Sequence, residues 1–174
     1  GDISLTAADD VTVTGKIQNT AALNVSGANV SLNGIDNSGD VQVVIAANNG
    51  DAIVGDVNNS GSALEFVATD KIVAGAVSNS VDGVLAFDSD LLEAQSIIAN
   101  GNVGSQINVN ADVVAVSGNV RVAGNLNQGD SAGMLNLQST DFSAGNLFIG
   151  DSLVASAGNT TYDIGTNIEI ANML

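Results

Sequence analysis

The sequence predicts an all-β chain wound as a single parallel β-solenoid over residues 1–174, in about seven to eight coils of roughly 20–28 residues. Three observations carry that expectation. The first is a phrase written twice in residues 1–37. One copy is Ile3-Ser4-Leu5, a polar turn, Val11-Thr12-Val13-Thr14-Gly15, then Ile17-Gln18-Asn19. The other is Leu23-Asn24-Val25, a polar turn, Val30-Ser31-Leu32-Asn33-Gly34, then Ile35-Asp36-Asn37. The second is short alternation of apolar and polar residues, the period of a strand with one face in and one face out. The third is the acid bias. Of the 19 acidic residues only Glu65, Glu93 and Glu169 are Glu, and Asp favours turns where Glu favours helices.

Composition narrows the core and the partners. Hydrophobic residues make up 45% but aromatics only 3%, so Val, Ile, Leu and Ala must fill the interior. Such residues suit a thin, regular core. There is no Pro, and 20 Gly together with Asn and Asp must supply the turns. The formal charge of −16 repels nucleic acid and anionic lipid, so neither is an expected partner. Without Cys there are no disulfides or thiol nucleophiles, as in many extracellular bacterial surface proteins. No apolar run is long enough to span a membrane, so no membrane insertion is expected. No signal peptide is seen and the chain opens almost directly on a strand, so a piece of a longer extracellular protein is expected.

In chain order, the first strand of each coil is marked by an apolar-x-apolar pair. The marks fall at Ile3/Leu5, Leu23/Val25, Val43/Ile45, Leu64/Phe66, Leu85/Phe87, Ile107/Val109, Leu135/Leu137 and Tyr162/Ile164. Val11, Val13, Val30 and Leu32 mark the second strand of the first two coils. Steps between first members are 20, 20, 21, 21, 22, 28 and 27, which places insertions late in the chain. No coil can bury its apolar face alone, so stacked coils must share one core. Equivalent strands then pair in parallel, roughly 4.8 Å apart, and the axis extends on the order of 35 Å.

The end of each coil repeats an apolar residue closely followed by Asn. Stacked in register, Asn19, Asn37, Asn59, Asn79, Asn100 and Asn127 would form a column whose amides bond to the copies above and below. The alternative is that Asn recurs there as a good turn residue. Leu91–Ala99 admits two readings. Asp90 and Glu93 could cap a helix that Gly101 stops; alternatively, residues 95–100 align with the third strand of other coils, which is the expectation here. Val120 to Gly124 alternates within the late insertion. Phe142 and Phe148 either fill a wider coil or form an exposed apolar contact.

These residues resemble the repeats of filamentous-haemagglutinin-type proteins, the large β-helical adhesins and autotransporter passengers of Gram-negative bacteria. The likeness is carried by residues 1–15 and 25–34 and continues weakly along the chain. It implies a right-handed parallel β-helix at the cell surface or in the extracellular medium, serving as a stalk, adhesin or surface fibre. Expected partners are a receptor or glycan on a host or neighbouring cell.

Catalytic motifs are sparse. With no His and no Cys, the commonest general bases and nucleophiles are missing. A lyase acting on acidic sugars needs cations, and only Lys16, Lys71 and Arg121 are present. A glycosidase needs two carboxylates across a cleft; Asp88 and Asp90 are the best-spaced pair, and solvated turn residues is the plainer reading. Asp88, Asp90 and Glu93 could offer oxygen donors to calcium, but EF-hand and Gly-rich nonapeptide spacings are lacking. No metal site or cofactor is therefore assigned. An ice-binding array would repeat Thr12-Val13-Thr14, and the following coils do not. Asn-x-Ser/Thr sequons such as Asn24-Val25-Ser26 are frequent by composition alone. The expected role is a non-enzymatic adhesive or fibre-forming segment, and the alternative is a carbohydrate-active β-helical enzyme. Strands without a polar cap near Ile3 and in residues 168–174 add an expectation of end-to-end association.

Overall fold

In a computed structural model the chain is an all-β parallel β-solenoid with no helix among its described residues. The structure describes residues 1–39, 41–80, 83–99, 106–111, 113–116, 120–128, 134–137, 141–155 and 161–173; side chains are described through 99, and at 107–111, 116 and 120. About five turns are therefore described with their side chains.

The first turn contains β1 (Ile3–Thr6), β2 (Val11–Val13) and β3 (Ile17–Asn19). In the second turn β4 (Leu23–Gly27) lies on β1, and one strand, β5 (Val30–Asn37), covers both β2 and β3. The pattern continues with β6 (Gln42–Ala47) and β7 (Ala52–Asn59), β8 (Ala63–Ala68) and β9 (Lys71–Asn79), then β10 (Val84–Asp88) and β11 (Leu91–Ala99). Every pairing is parallel. The corner inside the long strands is kept bare. Gly34 has φ +153°, which favours glycine, and a Cβ on Gly55 would stand 2.1 Å from the Asn33 carbonyl oxygen of the turn below.

Register puts like on like. Ile3, Leu23, Val43, Leu64, Leu85 and Ile107 face one another in order. So do Val11, Val30, Ala52, Ile72 and Leu92 on the second face. Ile17, Ile35, Val57, Val77 and Ile97 form the line on the third face. Leu23, Val25, Val30, Leu32, Leu64, Phe66, Leu85, Phe87, Ile107 and Val109 are buried, as the alternation predicts. Ile3, Leu5, Val11 and Val13 are only partly buried against this core. Their turn is covered on one side only among the described residues.

Leu91–Ala99 is a strand, with Leu92, Ala94 and Ile97 turned inward. Its third-face register differs by one residue from the sequence expectation. Ile97, not Ile98, meets Val77, and Ala99 meets Asn79. A slip of one residue would have put Ile97 on the outer face and Ile98 in the core.

The strand marks lose phase after Ile107. Its partner on the first-face line is Leu126, followed by Leu147 and Ile168. Leu135 instead stands opposite Val114 on the second-face line, and Tyr162 opposite Phe142 on the third. The late insertions rested on those two marks and fall with them, and the turns described with their side chains support about five coils, not the expected seven to eight. What remains irregular is a register shift between Val122 and Asn125, and further shifts in the last strand pair. β12 (Gln106–Asn110), β13 (Val113–Val116), β14 (Val120–Gln128), β15 (Met134–Leu137), β16 (Asp141–Ala155) and β17 (Thr161–Met173) continue the parallel pairing. The expected inward orientation of Leu135 and Leu137, and the packing of Phe142 and Phe148, lie outside the described side chains.

Candidate functional site

The most ordered polar feature is the asparagine line at the end of the third face. Asn19, Asn37, Asn59 and Asn79 are in register and only 5%, 3%, 2% and 0% exposed. Burying an amide is costly unless its donors and acceptors are met. Asn37 Nδ2 donates to Asn59 Oδ1 at 2.7 Å, and Asn59 Nδ2 donates to Asn79 Oδ1 at 3.1 Å. The same nitrogens also donate within their own turn, Asn37 to the Gly39 carbonyl and Asn59 to the Gly61 carbonyl, each at 3.2 Å. Asn19 Nδ2 makes the equivalent bond to the Ala21 carbonyl. Asn37 and Asn59 thus each close their own corner and reach to the next turn, and Asn19 closes its own corner. The Asn37 Oδ1 is buried with no donor among the described residues.

Past Asn79 the line changes. Ala99 takes the next register position, and Asn100 lies outside the described residues. Asn127 is in register with Asn108 and Phe148, on the first-face line instead of the third. Asn127 directly follows Leu126, so it does not share the apolar-x-Asn spacing of the third-face line.

A second polar line runs before the second-face strands, and sequence reasoning missed it. Asp10 Oδ1 accepts from the Asn29 backbone N–H at 3.2 Å and from Asn29 Nδ2 at 2.8 Å. Asn29 Oδ1 then accepts from the Asp51 N–H at 2.9 Å. The signal was available: Asp, Asn and Asp each stand directly before Val11, Val30 and Ala52, which share one register.

The described cations are engaged with acids of the adjacent turn. Lys16 Nζ lies 2.8 Å from Asp36 Oδ1, and Lys71 Nζ lies 3.6 Å from Asp51 Oδ2. Both pairs are partly exposed and contribute little to stability. Asp36 also accepts from Asn58 Nδ2 at 2.9 Å. The hydrogen bond from Lys16, then that from Asn58, hold the Asp36 carboxyl below its ordinary value. A depressed folded-state value means that any stability from this site is present above the unfolded pKa. It is lost as pH falls through the folded one. A carbon-detected NMR titration should place the Asp36 midpoint below the ordinary carboxylate value, and Lys16→Ala should move it upward. An Asp36 midpoint unchanged by Lys16→Ala would contradict the pairing.

An open groove of about 620 Å³ runs beside these residues, with Gln18, Thr20, Asp36 and Asn58 in its wall. Asp88, Asp90 and Glu93 do not converge. They are exposed, Asp88 accepts from Asn110 Nδ2 at 2.9 Å, and among the described residues no group of three or more such ligands is placed to hold a metal ion. The outward line from Thr12 passes through Ser31, Ile53, Val73 and Glu93, which is not a regular Thr array. No helix among the described residues is long and apolar enough to cross a membrane.

The fold places the chain in the class of parallel β-solenoids. Compared with protein-family models, curated proteins and solved structures, it matches none.

Proposed function

We propose that this chain is a structural and adhesive segment of a secreted bacterial surface protein, wound right-handed and used as an adhesin stalk or fibre-forming unit. The observation that supports it most is the uninterrupted apolar line through Ile3, Leu23, Val43, Leu64, Leu85 and Ile107. Length is gained by adding like turns, and each turn's core is finished by its neighbours. The partly buried Ile3, Leu5, Val11 and Val13 show what a turn lacks without a second neighbour. The likeness to filamentous-haemagglutinin-type repeats adds the extracellular setting and a receptor or glycan as partner.

The test is light scattering of the 174-residue chain against concentration. Apparent mass is expected to rise with concentration. Leu5→Lys, which places a charge on the partly covered first turn, is expected to suppress the rise while leaving the β circular-dichroism spectrum in place. A particle that remains monomeric at the highest concentration would count against the fibre reading. Turnover of a polysaccharide would establish the carbohydrate-active alternative instead.

A further inference from the structure

We propose that Asn49 is a site of spontaneous backbone modification, converting to aspartyl and isoaspartyl forms through a cyclic imide with Gly50. The chain contains three Asn-Gly pairs, at Asn33, Asn49 and Asn100. Glycine after Asn leaves the attacking backbone nitrogen without steric cover, so each pair is chemically competent. The fold separates two of them, and the third lies outside the described residues.

Asn33-Gly34 lies inside β5, paired on one side with β2 and β3 and on the other with β7. Gly34 is in register with Asp56. The main chain there cannot rotate to bring the Gly34 nitrogen onto the Asn33 side chain without breaking ladder bonds. Asn49-Gly50 lies in the turn between β6 and β7, and Asn49 is exposed. Among the described residues no acceptor is paired with the Gly50 N–H, although the neighbouring Asn49 and Asp51 N–H groups bond to the Ala28 carbonyl and Asn29 Oδ1. The nucleophile of this pair therefore has no hydrogen bond of its own to give up, although Gly50 is buried and the Asn29 side chain packs against its α-carbon.

The step balances without a co-reactant other than water. The Gly50 nitrogen forms a bond to Asn49 Cγ, the Cγ–Nδ2 bond breaks, and ammonia leaves carrying the proton lost from Gly50. Water then opens the ring. Attack at Cγ gives aspartate, and attack at the main-chain carbonyl gives isoaspartate with one extra carbon in the backbone. The second product has a structural consequence. Asn48 and Asn49 donate to Gly27 and Ala28 of the turn below, and the Gly50 carbonyl accepts from Asp70 of the turn above. An inserted carbon between residues 49 and 50 cannot keep both sets in register.

Ageing the folded protein and a urea-unfolded sample at mildly alkaline pH tests this. Cleavage after Lys16 and Lys71 yields one peptide carrying both Asn33 and Asn49. Fragment-ion mass spectrometry then reads each site in the same molecule. In urea the two should convert at similar rates. In the folded protein Asn33 should slow by at least about tenfold, because reaction there requires local opening, while Asn49 stays within about threefold of its unfolded rate. Equal protection of the two sites, or faster conversion at Asn33, would overturn the proposal.

Discussion

Replacing Phe66 by Ala is expected to destabilise the chain by about 3–5 kcal/mol, the range for deleting a buried aromatic side chain. Phe66 and Phe87 stack with ring centroids 5.2 Å apart and planes 2° from parallel, and both are essentially unexposed. Their contact follows directly from register, since each is the fourth residue of its strand and the two are partners in consecutive turns. The rings carry stacking energy beyond their buried area. The gap left by Ala cannot close easily, because β8 is hydrogen-bonded to β6 below and β10 above, which fixes the strand spacing. Leu64→Ala and Val25→Ala, at fully buried positions, should each cost roughly 2–4 kcal/mol by the same reasoning. Ile53→Thr is the control. Ile53 is 47% exposed on the outer face, and its replacement should change stability by no more than about 0.5 kcal/mol. Urea unfolding of the variants measures all four. A Phe66→Ala cost near that of Ile53→Thr would mean that the shared core is not continuous at this turn.

How far the fold was legible depends on how much each position is constrained. Through Ile107 the first-face line could be read directly, because core and solvent select opposite residue types and the alternation has period two. After Ile107 the pattern weakens. The true continuation, Leu126, follows Asn125 and precedes Asn127, a neighbourhood that resembles the Asn-bearing end of a coil more than its start. A stronger apolar pair at Leu135 and Leu137 drew the phase to the second-face line. Leu91–Ala99 shows the same limit at one-residue scale. Ile97 and Ile98 are interchangeable by composition, and only pairing with Val77 distinguishes them.

The polar lines were legible in part. Asn19, Asn37, Asn59 and Asn79 could be aligned because each follows an apolar residue by two positions. Their hydrogen bonds to residues 21, 39 and 61 were not legible, since those acceptors are main-chain carbonyls that any residue supplies. The Asp10–Asn29–Asp51 line escaped notice for a different reason. Asp and Asn exchange freely there, as both accept main-chain N–H bonds, so no single letter repeats.

The asparagine line supplies the second large effect. Asn59→Ala is expected to cost about 2–4 kcal/mol, because it removes several buried hydrogen bonds at once. Asn37 Nδ2 loses the shorter of its two acceptors, at 2.7 Å, and keeps the Gly39 carbonyl. Asn79 Oδ1 and the Gly61 carbonyl lose their shared donor. Asn24→Ala is the matching surface change; Asn24 is exposed on the first face and should be nearly neutral. Asn59→Asp separates amide donation from packing. The carboxylate still accepts from Asn37 but faces Asn79 Oδ1 and the Gly61 carbonyl, both acceptors. Burial and those dipoles disfavour the charged form, so the folded-state pKa of the introduced carboxyl rises above its unfolded value of about 3.9. The sign follows: the variant is least impaired relative to the parent chain below that unfolded value. The relative penalty then grows as pH rises through the folded one. Unfolding curves of parent and variant at matched pH from acid to neutral would show the gap widen. A gap that is constant with pH, or that narrows upward, would mean that position 59 is hydrated and that its amide hydrogen bonds are not what holds successive corners together.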